Sequence, residues 1–495
     1  MKDNNKNKLY DPDSWGISNE AIEKVKNIFN KLKRRFKECF RTKKKNWFKY
    51  AYIYIIGLIN IEKSKTMLNI SRLVMNATYE YENIQYFISE CPWENEKIFD
   101  KITKEVTNNS KSTKRVLTLD DTGIKKYGNH SIGVGRQYIG REGKVDNGQV
   151  TVCLGFYSNN SWKMIDGELY IPENWFTTKT RKELTKKWLL PNNRTFLTKY
   201  EIAFKLINKA IKRGLEFDML VCDTWYGRNS DFRYLLNNKK IKYVADIPIN
   251  TKILSELSPD IDSIEYDSYK HKLEGEQYLL FEDNLNARMI RAFIKMNDFE
   301  SDKFSIRSTE RGELICKCYR KRVKTVATSN GKIMSEWFFI IELPDGTYRF
   351  SLSNCDEDFS LKQLAEYHCY RYFIERVFQD SKTNLGLSDL KARKYRSFMH
   401  HLSLVALCLY LLSLIKELFY KEHHPDESLQ EFFKINSLPI MSISCICDLF
   451  RILYPLKVLT LEGIIKIIVD KLVRRANAMS SKYRKQIRLS KYSEI

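Results

Sequence analysis

The chain has 495 residues, 43% of them hydrophobic, with 29 Tyr and 27 Phe, which is enough apolar surface for several cores and too much for a disordered chain. It carries 84 Lys and Arg against 61 Asp and Glu, a formal charge of +23, and such a surplus attracts polyanions because phosphate contacts release counterions. Its 11 Cys and seven His include no C-x2-C pair and no Cys/His ligand spacing, which excludes a zinc ribbon or finger, and free thiols suit a reducing cytoplasm.

The opening segment, MKDNNKNKLYDPDSW, has no apolar signal core, so a soluble cytoplasmic protein is expected. Residues 17 to 108 read as helical. Within them, Lys31 to Lys49 holds ten Lys or Arg interleaved with Phe36, Phe40, Trp47 and Phe48, a pattern of aromatic core contacts behind a basic face. The next segment suggests two short helices around Met75-Asn76-Ala77-Thr78, a candidate helix-turn-helix.

From Lys114 the apolar period changes from helix to strand. RVLTLDD is a buried strand ending in two acids, QVTVCLGFYS and KMIDGELYIP follow as strands, and a Gly-rich segment over 123–148 links the first strand to the second. Lys199 to Arg213 is helical, and FDMLVCDTWYG is a further strand ending in an acid. Residues 264 to 354 alternate like a β block, with a Pro-Asp-Gly turn at 344–346. Helices return from Ser360. The apolar run Leu402 to Ile415 is about 14 residues, short of the roughly 20 a membrane helix needs, and residues 471–491 hold eight Lys or Arg. The expected division is a helical DNA-binding domain over 1–110, an α/β catalytic core over 111–245 and 359–422, a β-rich insertion over 246–358 and a helical C-terminal region over 423–495.

The chemistry is expected at strand ends. In VLTLDD, alternation puts Leu117, Leu119 and Asp121 on one face and Val116, Thr118 and Asp120 on the other. Asp223 ends the second strand in the same way, before a Gly turn, at the sheet edge where sites of α/β proteins gather. Two carboxylates side by side repel unless a cation lies between them. A third acid is offered by HCYRYFIERVFQDSK, where Arg371, Glu375 and Lys382 fall at i−4, i and i+7 of a helix. Three carboxylates holding two Mg2+ or Mn2+ ions suit phosphodiester chemistry. The Gly133 to Gly140 run lacks the Lys-Ser/Thr and the strand-then-helix setting of a phosphate loop, so no nucleotide cofactor is expected.

These strings resemble the insertion-sequence transposases of the DDE superfamily. The resemblance is carried by LDDTGIKKYGNHSIGVGRQYIGREGKVDNGQ, the D-x-E-L-Y-x-P segment, VCDTWYG and the R-x3-E-x6-K set of Arg371, Glu375 and Lys382, over roughly residues 35 to 420. It implies an RNase H-like core, Asp121, Asp223 and Glu375 as catalytic metal ligands (Asp121 because the family's Asp precedes the Thr), and Arg371 and Lys382 on DNA phosphates. His368 stands where the family has Tyr, with Tyr367 beside it, and remains a phosphate-contact candidate. His130, Arg136, Gln137, Tyr138 and Lys144 lie near the expected DNA path, and Trp337 is a candidate for stacking on a displaced base. Expected partners are double-stranded DNA, as terminal repeats and target, and a second copy of the chain, with no membrane. The rival readings are a domesticated, inactive DNA-binding protein and an RNase H-like nuclease that cuts without joining.

Overall fold

The computed structural model describes residues 9–455 except 63, 75–80, 110–113, 255–277, 280–293, 296–298, 310–311, 423–424 and 436–437, and beyond them 465, 468–469, 472–473 and 475–484. The strands are β1 (Val116–Lys125), β2 (Gly135–Ile139), β3 (Lys144–Ser158), β4 (Ser161–Tyr170), β5 (Met219–Cys222), β6 (Tyr243–Asp246), β7 (Ile253–Leu254), β8 (Tyr278–Leu279), β9 (Glu300–Thr309), β10 (Gly312–Val326), β11 (Ile333–Glu342) and β12 (Tyr348–Ser353). The chain forms two compact units. One comprises Met1–Ser112, Asp121–Leu215 and Glu375–Ile495, the other Thr113–Asp120 and Glu216–Ile374.

The first unit is built around the helix Tyr395–Glu422, of which the hydropathy pattern reveals only the central apolar run. Its length and hydropathy would let it cross a membrane, but most of its apolar window is buried. It packs on β4 and on the helices Asn19–Phe36, Phe48–Asn60, Tyr81–Ser89, Glu96–Asn109 and Ile443–Leu453. Each fully buried Leu on it contributes roughly 1.5–3 kcal/mol of transfer free energy. Phe36 and Phe40 are buried while Lys31, Lys43, Lys44, Lys45 and Lys49 are exposed, the aromatic core and basic face read from the sequence. The candidate turn at Met75–Thr78 lies outside the described residues, as does much of the basic stretch 471–491.

In the same unit β3 pairs with β4 and β2, both antiparallel, and neighbours β1. The Gly-rich segment 123–148 is therefore not a plain linker. Its GRQYI is a strand in register with Lys144–Gly148, because Ile139 is buried while Arg136 and Tyr138 alternate outward.

In the second unit Val116–Leu119 pairs parallel with Met219–Cys222, and β5 pairs parallel with β6. β6 then continues antiparallel into β12, β11 and β10, with β9 and β7 on β10. Ile247, Ile253, Tyr319, Val323, Phe338, Ile340, Phe350 and Leu352 form the core of this β block. The fold is mixed α/β and RNase H-like, with a long β-rich stretch between the strand of Asp223 and the helix of Glu375, and helices at both ends.

Candidate active site

The second unit collects acids at the ends of its parallel strands. Leu119 pairs with Cys222, so Asp120 and Asp223 are the next residues along two neighbouring strands. Paired residues of parallel strands point to the same face, and alternation turns successive residues to opposite faces. Asp120 therefore shares the face of Asp223, whereas Asp121 turns to the other. Asp223 remains extended and caps the short helix Thr224–Gly227, with Oδ1 accepting from the backbone N–H of Trp225 at 3.1 Å and of Tyr226 at 3.3 Å. Cys222, buried below them, has its thiol pushed up by burial and then by the negative charges of Asp223, Asp246 and Asp120.

Asp246, at the end of β6, is a third strand-end acid of this unit. Ser351 Oγ donates to its Oδ1 at 2.9 Å, His368 Nε2 lies 2.9 Å from the same oxygen, and Arg371 Nε lies 3.0 Å from Oδ2. Burial opposes the charge on both partners, yet the His368 and Arg371 cations hold Asp246 below the usual carboxylate range and Asp246 raises His368 to about 9. His368 and Arg371, expected on DNA phosphates, are thus engaged by an internal carboxylate. Arg371 is also not on the helix of Glu375. One helix, Leu361–Tyr370, ends with Arg371 as its C-cap, and a second runs Tyr372–Thr383. The break contains no proline or glycine and falls where His368 and Arg371 are drawn to Asp246.

In the first unit, Asp121 Oδ2 meets Lys199 Nζ at 2.8 Å, at the start of the helix Lys199–Lys212, which Thr198 and Glu201 cap reciprocally. No local pattern signals this pair, whose members are far apart in the chain. Glu375 is exposed in the first turn of its helix. Lys382 Nζ donates to the Gly123 carbonyl at 2.8 Å, two residues beyond Asp121. His130, Arg136, Tyr138 and Lys144 are exposed, while Gln137 is half-buried and donates to the carbonyls of Gly133 and Gly148.

Trp337 does not have the surface a stacking residue needs. It is 8% exposed, and the guanidinium groups of Arg320 and Arg322 lie 4.2 and 4.4 Å from its ring centroid. Two cations against one buried indole make it a packing residue of the β block.

Among the described residues no three His, Cys, Asp or Glu side chains are gathered as a ready-made metal cluster. The pair Asp120 and Asp223 nonetheless fits a hard divalent cation in its chemistry, with oxygen donors on neighbouring strand ends where mutual repulsion favours a cation between them.

Comparison with known proteins agrees with this architecture. The family described as DDE superfamily endonuclease matches residues 35–271, and the family described as Transposase DDE domain matches residues 201–411. The probable transposase for insertion sequence element IS701 from Microchaete diplosiphon is 25% identical over 390 residues, 78% of this chain and 87% of that protein.

Proposed function

The chain belongs to the DDE superfamily of transposases, and on that premise we propose that it cuts DNA at the ends of an insertion sequence and joins the freed 3′ ends to target DNA. The observation that carries the site assignment is the parallel pairing that ends in Leu119 and Cys222, with Asp120 and Asp223 next along. That register supports Asp120 over its neighbour Asp121 as the first metal ligand. Asp223 and, by its place in the R-x3-E-x6-K motif, Glu375 complete the set.

Divalent cations, Mg2+ or Mn2+ and two in number, would supply Lewis acidity for attack on the phosphodiester and offset charge on the leaving oxygen. The chain's own residues bind and orient. Asp223 is fixed by the two backbone N–H groups it accepts from. Lys199 neutralises Asp121, and Lys382 sits on the Gly123 carbonyl beside the first strand's acids. Arg136 and Lys144, exposed on adjacent strands, are suited to phosphates along the DNA. Coordinated cutting of two ends calls for two copies, so a homodimer on terminal repeats belongs to the same proposal, acting where the DNA lies, in the cytoplasm.

The test is cleavage of labelled duplexes carrying the DNA that flanks this gene, with Mg2+, Mn2+ or Ca2+, for the native chain and Asp223→Asn. Cation-dependent nicks at one position, absent in the variant, are expected. Binding without nicking by either protein would sink the enzymatic reading and leave a DNA-binding protein.

A further inference from the structure

We infer that Lys65 is a positioning residue for the proposed DNA cleavage, fixing the end of the helix that carries Glu375 from the segment after the helix Phe48–Asn60; this rests on the reading of the chain as a DNA-cutting enzyme. Desolvation opposes an ammonium, so a buried lysine needs partners for its charge. Lys65 is 2% exposed, and burial lowers its ammonium to about 8. Its Nζ donates to the Leu58 carbonyl at 2.6 Å and to the Asn384 carbonyl at 2.7 Å, and its backbone N–H donates to Asp389 Oδ2 at 2.7 Å. Leu58 is in the last turn of Phe48–Asn60, and Asn384 directly follows Tyr372–Thr383. The last carbonyls of a helix lack partners within it and carry the negative end of its dipole, so one ammonium between two such ends answers both.

The joint is close-packed. At Gly386, which is left-handed with φ 68°, an added Cβ would lie 2.8 Å from Lys65 Cδ and 2.9 Å from Lys65 Cβ, so the chain leaving the Glu375 helix folds directly over the lysine stem. A second link runs beside the first. Tyr54, from the same helix as Leu58, places its hydroxyl 2.9 Å from His401 Nδ1, and His401 Nε2 lies 3.1 Å from the Gly386 carbonyl. With the hydroxyl donating to Nδ1, the Nε2–H donates to that carbonyl, and both side chains are buried.

Glu375 lies in the first turn of its helix and Asn384 just past the last, roughly 13 Å apart along one stiff rod. Lys382 on the Gly123 carbonyl and Asp380 on Trp162 hold the sides of that rod, while Lys65 and His401 hold its end against Phe48–Asn60. A slip at the held end is carried to the carboxylate, and a misplacement of about 1 Å is enough to slow a reaction about a hundredfold.

The test uses the full chain, the duplex carrying the DNA that flanks this gene, and Lys65→Met, which keeps the stem and removes the ammonium. Lys65→Met should bind the duplex in Ca2+ as the native chain does but nick it in Mg2+ about a hundredfold more slowly, and its amides over Tyr372–Thr383 should exchange with D2O about tenfold faster. Lys65→Arg, which can still donate to both carbonyls, should recover part of the rate. Thr103→Val removes a buried hydroxyl that donates to the Phe99 carbonyl elsewhere in the same unit and should nick like the native chain, separating a lost hold from lowered stability. If Lys65→Met does not fold, Gly386→Ala presses on the same joint and should give the same slow nicking. Native-rate nicking or unchanged exchange in the variant that folds, or an equal loss in Thr103→Val, overturns the inference. Absence of nicking by the native chain, with faster exchange still present in Lys65→Met, instead sinks the enzymatic reading and leaves Lys65 a structural anchor.

Discussion

His368 Nε2 stands 2.9 Å from Asp246 Oδ1, and this pairing keeps an imidazolium inside the protein at neutral pH. Its folded value of about 9 lies above the ordinary 6.5, so its share of stability is full below pH 6.5 and is lost as pH rises through 9. Asp246 is held below its ordinary 3.8, so its share is present above that value and is lost as pH falls through the lowered one. NMR titration of the His368 ring should therefore report a midpoint near 9. His368→Asn should lower stability at pH 6, by up to about 3–5 kcal/mol, the range for removing one partner of a buried ion pair, with the difference closing above pH 9. A midpoint at 6.5 would show that the pair does not form.

The neighbouring acids of β1 should behave differently. Asp120→Asn is expected to slow nicking by at least about a hundredfold, since it removes a proposed ligand of the cations that would offset developing charge. Asp121→Asn weakens the partly exposed pair with Lys199 and should stay within about tenfold. Rates for the two variants on one labelled duplex decide the matter, and the reverse order would return the site to Asp121.

Glu336 is a buried hub. Arg233 Nε lies 2.9 Å from its Oε1, and the hydroxyls of Tyr243 and Thr325 donate to the same carboxylate. Glu336→Ala strands a buried guanidinium and should cost about 3–5 kcal/mol, read as a lower urea midpoint. Thr325→Val removes one donor and should cost about 1–3 kcal/mol. A near-neutral Glu336→Ala would mean that Arg233 finds water or another partner.

Arg136 and Lys144 are proposed to touch phosphates. Replacing both by Ala should weaken binding to any duplex and lower the slope of log affinity against log salt by about 0.9 for each phosphate no longer neutralised. An unchanged slope would move the DNA path off the β2–β3 hairpin.

The strand-end acids are legible because burial in this chain follows the apolar run closely: Val116, Leu117, Thr118 and Leu119 are buried and then the strand turns polar. Choosing between Asp120 and Asp121 needs the register between β1 and β5, a pairing of distant segments that local pattern does not encode. YVAD, ending in Asp246, carries the same signal as VCD but lacks the Gly turn that marks Asp223. The helix through Arg371 and Glu375 reads as continuous because its break has no Pro or Gly.

The helix Tyr395–Glu422 has a consequence for how the protein is made. The helices between Asn19 and Asn109 pack against it, yet the ribosome finishes it some three hundred residues after them. Domains tend to fold as they emerge, N-terminal part first, but here the first hundred residues must wait for nearly the last hundred. A chain arrested at residue 374 should leave Phe36, Tyr54 and Phe87 open to protease, whereas one released after residue 422 should protect them; protection of the shorter product would refute this. Synthesis that stops before residue 422 should then leave these helices without the core they pack on.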